Sequence, residues 1–385
     1  MTASPEARVS DSRPDAPLGV RWRVQRARAQ EAVLPRGRVL VSCAAPLGVG
    51  GLGRHLSEIV DALDRRKQTT ACICGSTRAS PAASPRRPLR ERALSAVLAL
   101  PPIRLAATRD AREVNVEFDA YAAQRLPAAD HLVGFNGSSV AQFHAARQAH
   151  FKSISLIAAN SHLRRVVRQH AKAYRQYPLE GSWAPLLLER NLIEYAQADR
   201  IYVASRYARE SFIEEGFPDQ VLSEFPLTPD PRYEPDGARG ASGRFDIVYV
   251  GSLSVAKGVP LLIDAVRRLP YADMRLVLIG GWRSRGMRRF IQRACAGDRR
   301  ISNGHGDPLP HLRTARLCVH AAYEDGFAYA PAEALACGVP VIVSADTGMK
   351  DLIDPDRNGL ILPTGDLSAL TEAIEAAYRG EIFSG

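Results

Sequence analysis

Twice along this chain an apolar, β-branched run ends in a glycine-rich loop that opens into a helix. Arg38 to Ala45 (RVLVSCAA) leads into PLGVGGLG and a helix from about Gly51 to Arg65, and Phe245 to Val250 leads into GSLSVAKG and a helix over 259–268. A strand followed by a loop and a helix returns to its sheet in parallel, so each run reads as the first strand of a doubly wound α/β half. Strands at 69–74, 131–135, 153–158 and 200–204 continue the first half, between helices near 112–124, 139–149, 163–177 and 185–197. The second half continues with strands at 274–279, 316–320 and 339–343 and helices at 284–296, 330–337 and 367–379. Residues 227–243 (LTPDPRYEPDGARGASG) concentrate Pro, Gly and polar residues without periodicity and read as a linker. The expected division is a disordered tail over 1–37, an N-terminal Rossmann-like, acceptor-side domain over 38–226, the linker over 227–243, and a C-terminal Rossmann-like domain over 244–385. The fold class is α/β, with two parallel-sheet domains facing across a cleft. Open parallel sheets bind ligands at the carboxyl ends of their strands, where both 46–53 and 324–333 fall.

A chain of 385 residues with 46% hydrophobic and 7% aromatic content is long enough for two cores of ordinary size. Its formal charge of +10 comes almost wholly from arginine, since Lys67, Lys152, Lys172, Lys257 and Lys350 are the only lysines. That balance favours anionic partners, nucleoside diphosphates and anionic membrane surfaces among them. No nucleic-acid module and no interleaved aromatic patch accompanies it, which sets nucleic acid last. The cysteines at 43, 72, 74, 295, 318 and 337 lack zinc or redox spacing and read as small buried hydrophobes in a reducing cytoplasm. The first 35 or so residues contain no apolar core of a signal peptide, and no run approaches a membrane span.

Residues 318–343, CVHAAYEDGFAYAPAEALACGVPVIV, place an acidic, glycine-containing loop between a strand and a short helix, with Asp325 and Glu333 at fixed separation. A helix beginning near 330–332 turns its free N–H groups and positive dipole end toward that loop, which makes a site for phosphate oxygens. Glu333, beside Ala332, can accept hydrogen bonds from a ribose, while Asp325 can hold hydroxyls attached beyond the diphosphate. Lys257, ahead of Gly258, can neutralise a diphosphate as a mobile point charge. Gly48-Val49-Gly50-Gly51-Leu52-Gly53 has the G-x-G-x-x-G spacing of a dinucleotide site. Against that use, the first glycine follows the strand only after Pro46 and Leu47, and Cys74-Gly75-Ser76 offers no acid for the ribose of NAD. Arg78 suits NADP weakly.

The segment over 318–343, with its ACGVPVI continuation, resembles the E-x7-E signature of the retaining family 4 glycosyltransferases of GT-B fold. GSLSVAKG is similar to that family's G-R-L-x-x-x-K-G loop, with Ser252 where the family has arginine. Glu324-Asp325-Gly326-Phe327-Ala328 stands where the family usually reads Glu-Gly-Phe-Gly, so either Asp325, the shorter acid in register, or Glu324, one residue out, fills its place. Asp325 is the better fit, and Arg283 or Arg285 can supply the positive charge missing at 252. The resemblance implies that Gly50 and Gly51 let backbone approach the donor diphosphate and the acceptor. It implies that Lys257 and the helix start at Ala332 meet the departing diphosphate, that Glu333 holds the ribose and Asp325 the sugar, and that Ser252, Glu324, Gly326 and Phe327 line the donor site. His162 sits where many relatives carry a cleft histidine, which would position the donor sugar, and Glu189-Arg190-Asn191 through Ala198-Asp199 looks like the family's E-R-x-x-E-x-x-x-A-D stretch.

The same resemblance implies retention at the anomeric carbon, a UDP- or GDP-linked sugar as substrate with no separate cofactor, a hydroxyl acceptor (glycan, lipid-linked or small molecule) and no metal. Ser252, Asp325 and an ending soon after the helix at 367–379 depart from the family pattern, and a non-catalytic GT-B relative acting as a binding protein is the alternative. Asp354-Pro355-Asp356 has the D-x-D spacing of metal-dependent glycosyltransferases of the other common fold, but Pro355 and Asn358-Gly359 are turn chemistry and it reads as a turn. Arg86, Arg87, Arg90 and Arg92 precede ALSAVLALPPI, so 86–102 reads either as a peripheral contact with an anionic inner membrane face or as a solvated face beside a core helix. Gly304 to Pro308 is placed to touch a base through its backbone.

Overall fold

The computed structural model describes residues 18–75, 107–240, 243–355 and 357–383. In the first half β1 (Val39–Pro46), β2 (Thr69–Gly75), β3 (His131–Phe135), β4 (Ser153–Ala158), β5 (Arg200–Val203) and β6 (Leu222–Glu224) form one parallel sheet in the order β2-β1-β3-β4-β5-β6. In the second half β7 (Phe245–Val250), β8 (Met274–Ile279), β9 (Ile301–Gly304), β10 (Leu317–His320), β11 (Val341–Ser344) and β12 (Gly359–Leu362) form another, in the order β12-β11-β10-β7-β8-β9. Helices α1 (Leu18–Val33), α2 (Gly50–Arg65), α3 (Ala107–Ala123), α4 (Val140–Gln148), α5 (Leu163–Gln176), α6 (Ala184–Gln197) and α7 (Arg206–Glu214) belong to the first half. The second half has α8 (Val259–Arg268), α9 (Arg285–Gly297), α10 (Leu309–Thr314), α11 (Tyr329–Ala336) and α12 (Leu367–Tyr378).

Both sheets reverse strand order beside their first strand: β1 lies between β2 and β3, and β7 between β8 and β10. Crossovers leave opposite faces on the two sides of such a strand, so a crevice opens at its carboxyl end. The loops after β1, β7 and β10 all leave from these reversals, which gathers three glycine-containing segments at one cleft. Val39, Leu40, Val41 and Cys43 are fully buried, as a parallel strand covered on both faces requires. All six cysteines are unbridged, and burial pushes the Cys43 and Cys318 thiols up to about 12, which suits packing rather than reactivity.

Two parts of the expected division differ. Residues 18–33, expected within a disordered tail, form α1. Polar contacts anchor the described part of this helix: Gln30 donates to Glu58 (2.7 Å) and to the Pro226 carbonyl (2.8 Å), Arg66 donates to the carbonyl of Glu31 (2.7 Å), and Tyr202 donates to that of Val33 (2.9 Å). Polar side chains reaching backbone carbonyls leave no periodicity in the sequence. The linker is likewise packed rather than free, with Leu227 and Tyr233 buried and Thr228 bonded to Glu58 through both N–H and Oγ1 (2.9 Å each).

The two domains touch along much of the cleft. Tyr177 at the end of α5 donates to Asp264 on α8 (2.9 Å), Tyr323 donates to Gln176 (2.5 Å), and the Val255 N–H donates to Glu180 (2.8 Å). Residues 86–102 and Asp356 lie outside the described residues. No helix among the described residues is long and apolar enough to cross a membrane.

Candidate functional site

Three helices begin at the cleft. The N-caps of α2 and α11, Val49 and Ala328, make no side-chain capping bond, so the first N–H groups of both helices lack side-chain partners at that end. Gly51 has ordinary dihedrals and a Cβ built on it would meet nothing within 4 Å, while Gly50, at φ 66°, is equally open. Room remains beside both for a ligand to approach the backbone. Ala328 sits at φ 68°, a left-handed conformation that strains an alanine and is held there by the loop around it.

The loop after β7 delivers Lys257 to the loop after β10. Lys257 Nζ lies 2.7 Å from Asp325 Oδ2 and 3.2 Å from the Glu324 carbonyl. His320 Nε2, on β10, lies 3.1 Å from the same Asp325 oxygen, and its ring stacks parallel to Tyr249. Burial opposes the charge on Asp325, but Lys257 and His320 outweigh it and hold the carboxyl well below the usual range. Asp325 is thus a fixed anion; its Oδ1 accepts a long hydrogen bond from the Phe327 N–H (3.4 Å) and keeps a lone pair for another donor.

Glu324 points the other way. Its carboxylate, 2% exposed, accepts from the N–H (3.1 Å) and hydroxyl (2.8 Å) of Ser161 at the end of β4. Burial raises its pKa, and the residue braces the acidic loop against the N-terminal domain. Gly326 fits the same junction: a Cβ there would lie 2.6 Å from the Ala159 carbonyl, and Ser205 donates to the Gly326 carbonyl (2.7 Å). Phe327 is buried, with the Arg26 guanidinium of α1 5.5 Å above its ring.

Glu333 lies at the end of the first turn of α11, beyond buried Ala332, and is 2% exposed. Its Oε1 is 2.5 Å from Arg54 Nη2 of α2, across the cleft. The same guanidinium stacks 4.2 Å over Tyr329, whose hydroxyl donates to Glu58 (2.7 Å). Burial raises the pKa of Glu333 and Arg54 pulls it back.

Lys257, Asp325, Glu333, Gly50, Gly51 and Ala332 therefore meet at the cleft. Ser252 is exposed on the rim, its carbonyl accepting from Tyr249 (2.9 Å). His162 is the exception. It caps α5 by accepting from the Arg164 N–H (3.3 Å), and its ring is buried among Tyr195, Phe212 and Phe217, where burial lowers its pKa to about 4. The expected cleft histidine is an aromatic-core residue here, because at this strand-to-helix junction the neighbouring Ser161 takes the side that meets Glu324. In the 189–199 stretch, Glu194 accepts from the N–H groups of Gly137 (2.5 Å) and Ser139 (2.7 Å) and Arg190 pairs with Asp119, fixing the loop after β3. Asp199 accepts from the Ile154 N–H (2.7 Å) at the start of β4. The sequence pattern gave no sign of His320, Arg54 or Tyr329: His320 lies in an apolar strand, and Arg54 reads as an ordinary charge on an amphipathic helix.

Residues 244–379 match the family model described as glycosyl transferases group 1. The D-inositol 3-phosphate glycosyltransferase of Mycobacteroides abscessus is 26% identical over 140 residues, which is 33% of this chain and 30% of that protein. Matches of this kind span about a third of the length of the curated relatives. Among solved structures, sucrose-phosphate synthase from Thermosynechococcus elongatus superposes with a TM-score of 0.61 at 18% identity, over 89% of this chain and 90% of its own. Anabaena HepE in complex with UDP-glucose superposes at 0.57 and 16% identity, over 90% and 91%. Both likenesses are likenesses of fold.

Proposed function

Because residues 244–379 match the family model of the glycosyl transferases group 1 and the chain has the GT-B fold, we propose that this protein is a retaining glycosyltransferase that moves a sugar from a nucleoside-diphosphate sugar to a hydroxyl acceptor. The observation that carries the reading is the convergence of Lys257 and Asp325 beside the uncapped start of α11, with Glu333 one turn beyond. In this reading the N–H groups at the start of α11 and Lys257 stabilise charge that develops on the departing diphosphate. Glu333 accepts from the ribose hydroxyls, and the Asp325 carboxylate, through a lone pair left on Oδ1, accepts from a hydroxyl of the sugar. The bond from the anomeric carbon to the phosphate oxygen breaks while the acceptor oxygen attaches on the same face, and the departing oxygen takes the acceptor's proton. Positioning and electrostatics supply the acceleration, so the reading needs neither a side-chain nucleophile nor a metal.

HepE binds UDP-glucose in its solved complex, and UDP- or GDP-linked sugars are the donors to try first here. Turnover of UDP- and GDP-sugars against glycan, lipid-linked and small-molecule acceptors tests the reading, with Lys257→Ala and Glu333→Ala as controls and with and without EDTA. Loss of one transition-state cation is expected to lower kcat by about a hundred- to a thousandfold. Wild-type protein that neither turns over any donor nor binds UDP, GDP or ADP would sink the reading, and activity abolished by EDTA and restored by manganese would sink metal independence.

A further inference from the structure

The cleft holds a cation that the mechanism above does not use. Arg54 leaves α2 at its first turn, just after Gly50 and Gly51, and its guanidinium lies against Tyr329 and Glu333, four residues apart on the opening turn of α11. It therefore bridges the starts of two helices that both lack side-chain caps. Other positive charge near this place is already engaged: Arg232, whose charge acts on Glu333, pairs with Asp307 (2.9 Å) and donates to the Tyr233 hydroxyl (3.1 Å). Ser252 is neutral, Lys257 is already engaged by Asp325, and Arg283 has an exposed side chain whose charge acts on Glu180.

We propose that Arg54 is a further substrate-contacting residue, the guanidinium that takes the donor diphosphate in place of the arginine absent at 252. The proposal rests on the glycosyltransferase reading. Glu333 has two carboxylate oxygens, and a ribose presenting two hydroxyls competes with Arg54 for them. A donor that takes Glu333 releases the guanidinium beside the helix start, where the diphosphate would lie. Five N–H donors in a planar fork match phosphate oxygens as well as they match a carboxylate. The residue also comes from the opposite domain, so the exchange would tie donor binding to the position of α2 over the cleft.

The test separates the phosphate from the ribose. UDP, GDP and ADP, and uridine, guanosine and adenosine, are titrated into wild-type protein, Arg54→Ala and Arg54→Lys, with calorimetry for the diphosphates and ligand-observed NMR for the nucleosides. Arg54→Ala should weaken the bound diphosphate by about tenfold or more and leave its nucleoside unchanged or tighter, with Arg54→Lys intermediate. Equal weakening of both ligands, or no change in either, overturns the proposal and leaves Arg54 as a domain bridge. If Arg54→Ala does not fold, the ratio of diphosphate to nucleoside affinity in Arg54→Lys decides in the same way. Wild-type protein that binds none of the diphosphates defeats the glycosyltransferase reading itself.

Discussion

The loops after β1 and β7 hold equivalent places, each at the reversal of its sheet and each opening a helix, yet their glycines serve different ends. After β7, Gly258 adopts φ 71°, and a Cβ on it would lie 1.9 Å from the Ala321 carbonyl. Bareness there lets two loops of one domain touch, and the contact is what brings Lys257 to Asp325. After β1, Gly51 has neither a positive φ nor any neighbour within 4 Å of a would-be Cβ. Neither backbone nor packing requires that glycine, so the space beside it is available to a ligand. One loop is built to hold its own chain together, and the other leaves room.

Substitution can break this comparison. Gly258→Ala puts a methyl into a backbone carbonyl at a left-handed residue and should cost about 3 kcal/mol or more, read as a fall in the denaturation midpoint of the C-terminal domain. A Gly258→Ala protein that melts like wild type would mean the contact with Ala321 is loose. Ala328→Gly addresses the reverse case, a side chain already present at φ 68°, and should stabilise the fold by about 1 kcal/mol as left-handed strain is relieved, read as a higher denaturation midpoint. A lower midpoint would show that the loop holds this residue without strain. Gly51→Ala should give the smallest change in stability, a gain of about 0.5–1 kcal/mol from replacing glycine within a helix, together with weaker nucleoside-diphosphate binding. Unchanged binding in that variant would remove Gly51 from the donor site and leave the two loops alike.

Most of the architecture could be read along the chain. β1, β7, β8 and β11 are mostly apolar runs, with Asp246 in β7 and Arg275 in β8 as charged exceptions, because parallel strands are largely covered on both faces, and the helices between them show their buried stripes. The short strands β6, β9 and β12 escaped notice, since runs of three or four residues with one buried position each carry no period. α1 escaped because its anchors are Gln30, Arg26 and Arg66 reaching carboxylate and carbonyl oxygens distant in sequence. In the site, Lys257, Asp325 and Glu333 stood out by spacing, whereas His162 did not lie where spacing put it. One step along the chain at the end of β4 turns a side chain from the cleft to the core, and no sequence spacing resolves a single step at such a junction.

The sequence by itself determined two parallel-sheet halves, the reversal loops that carry glycine and acid, and the helix whose start is a place for phosphate, because periodicity and turn chemistry act over a few residues. Only the tertiary structure decided that Glu324 faces Ser161 while Asp325 faces Lys257 and His320, and that Arg54 crosses the cleft to Glu333. Those pairings join residues 68 to 279 positions apart, or neighbours on opposite sides of one loop, and those of Glu324 and Arg54 depend on how the two domains come to rest against each other. Charge and hydrogen-bonding capacity are written in the chain, but partners are chosen by distance, and distance belongs to the fold.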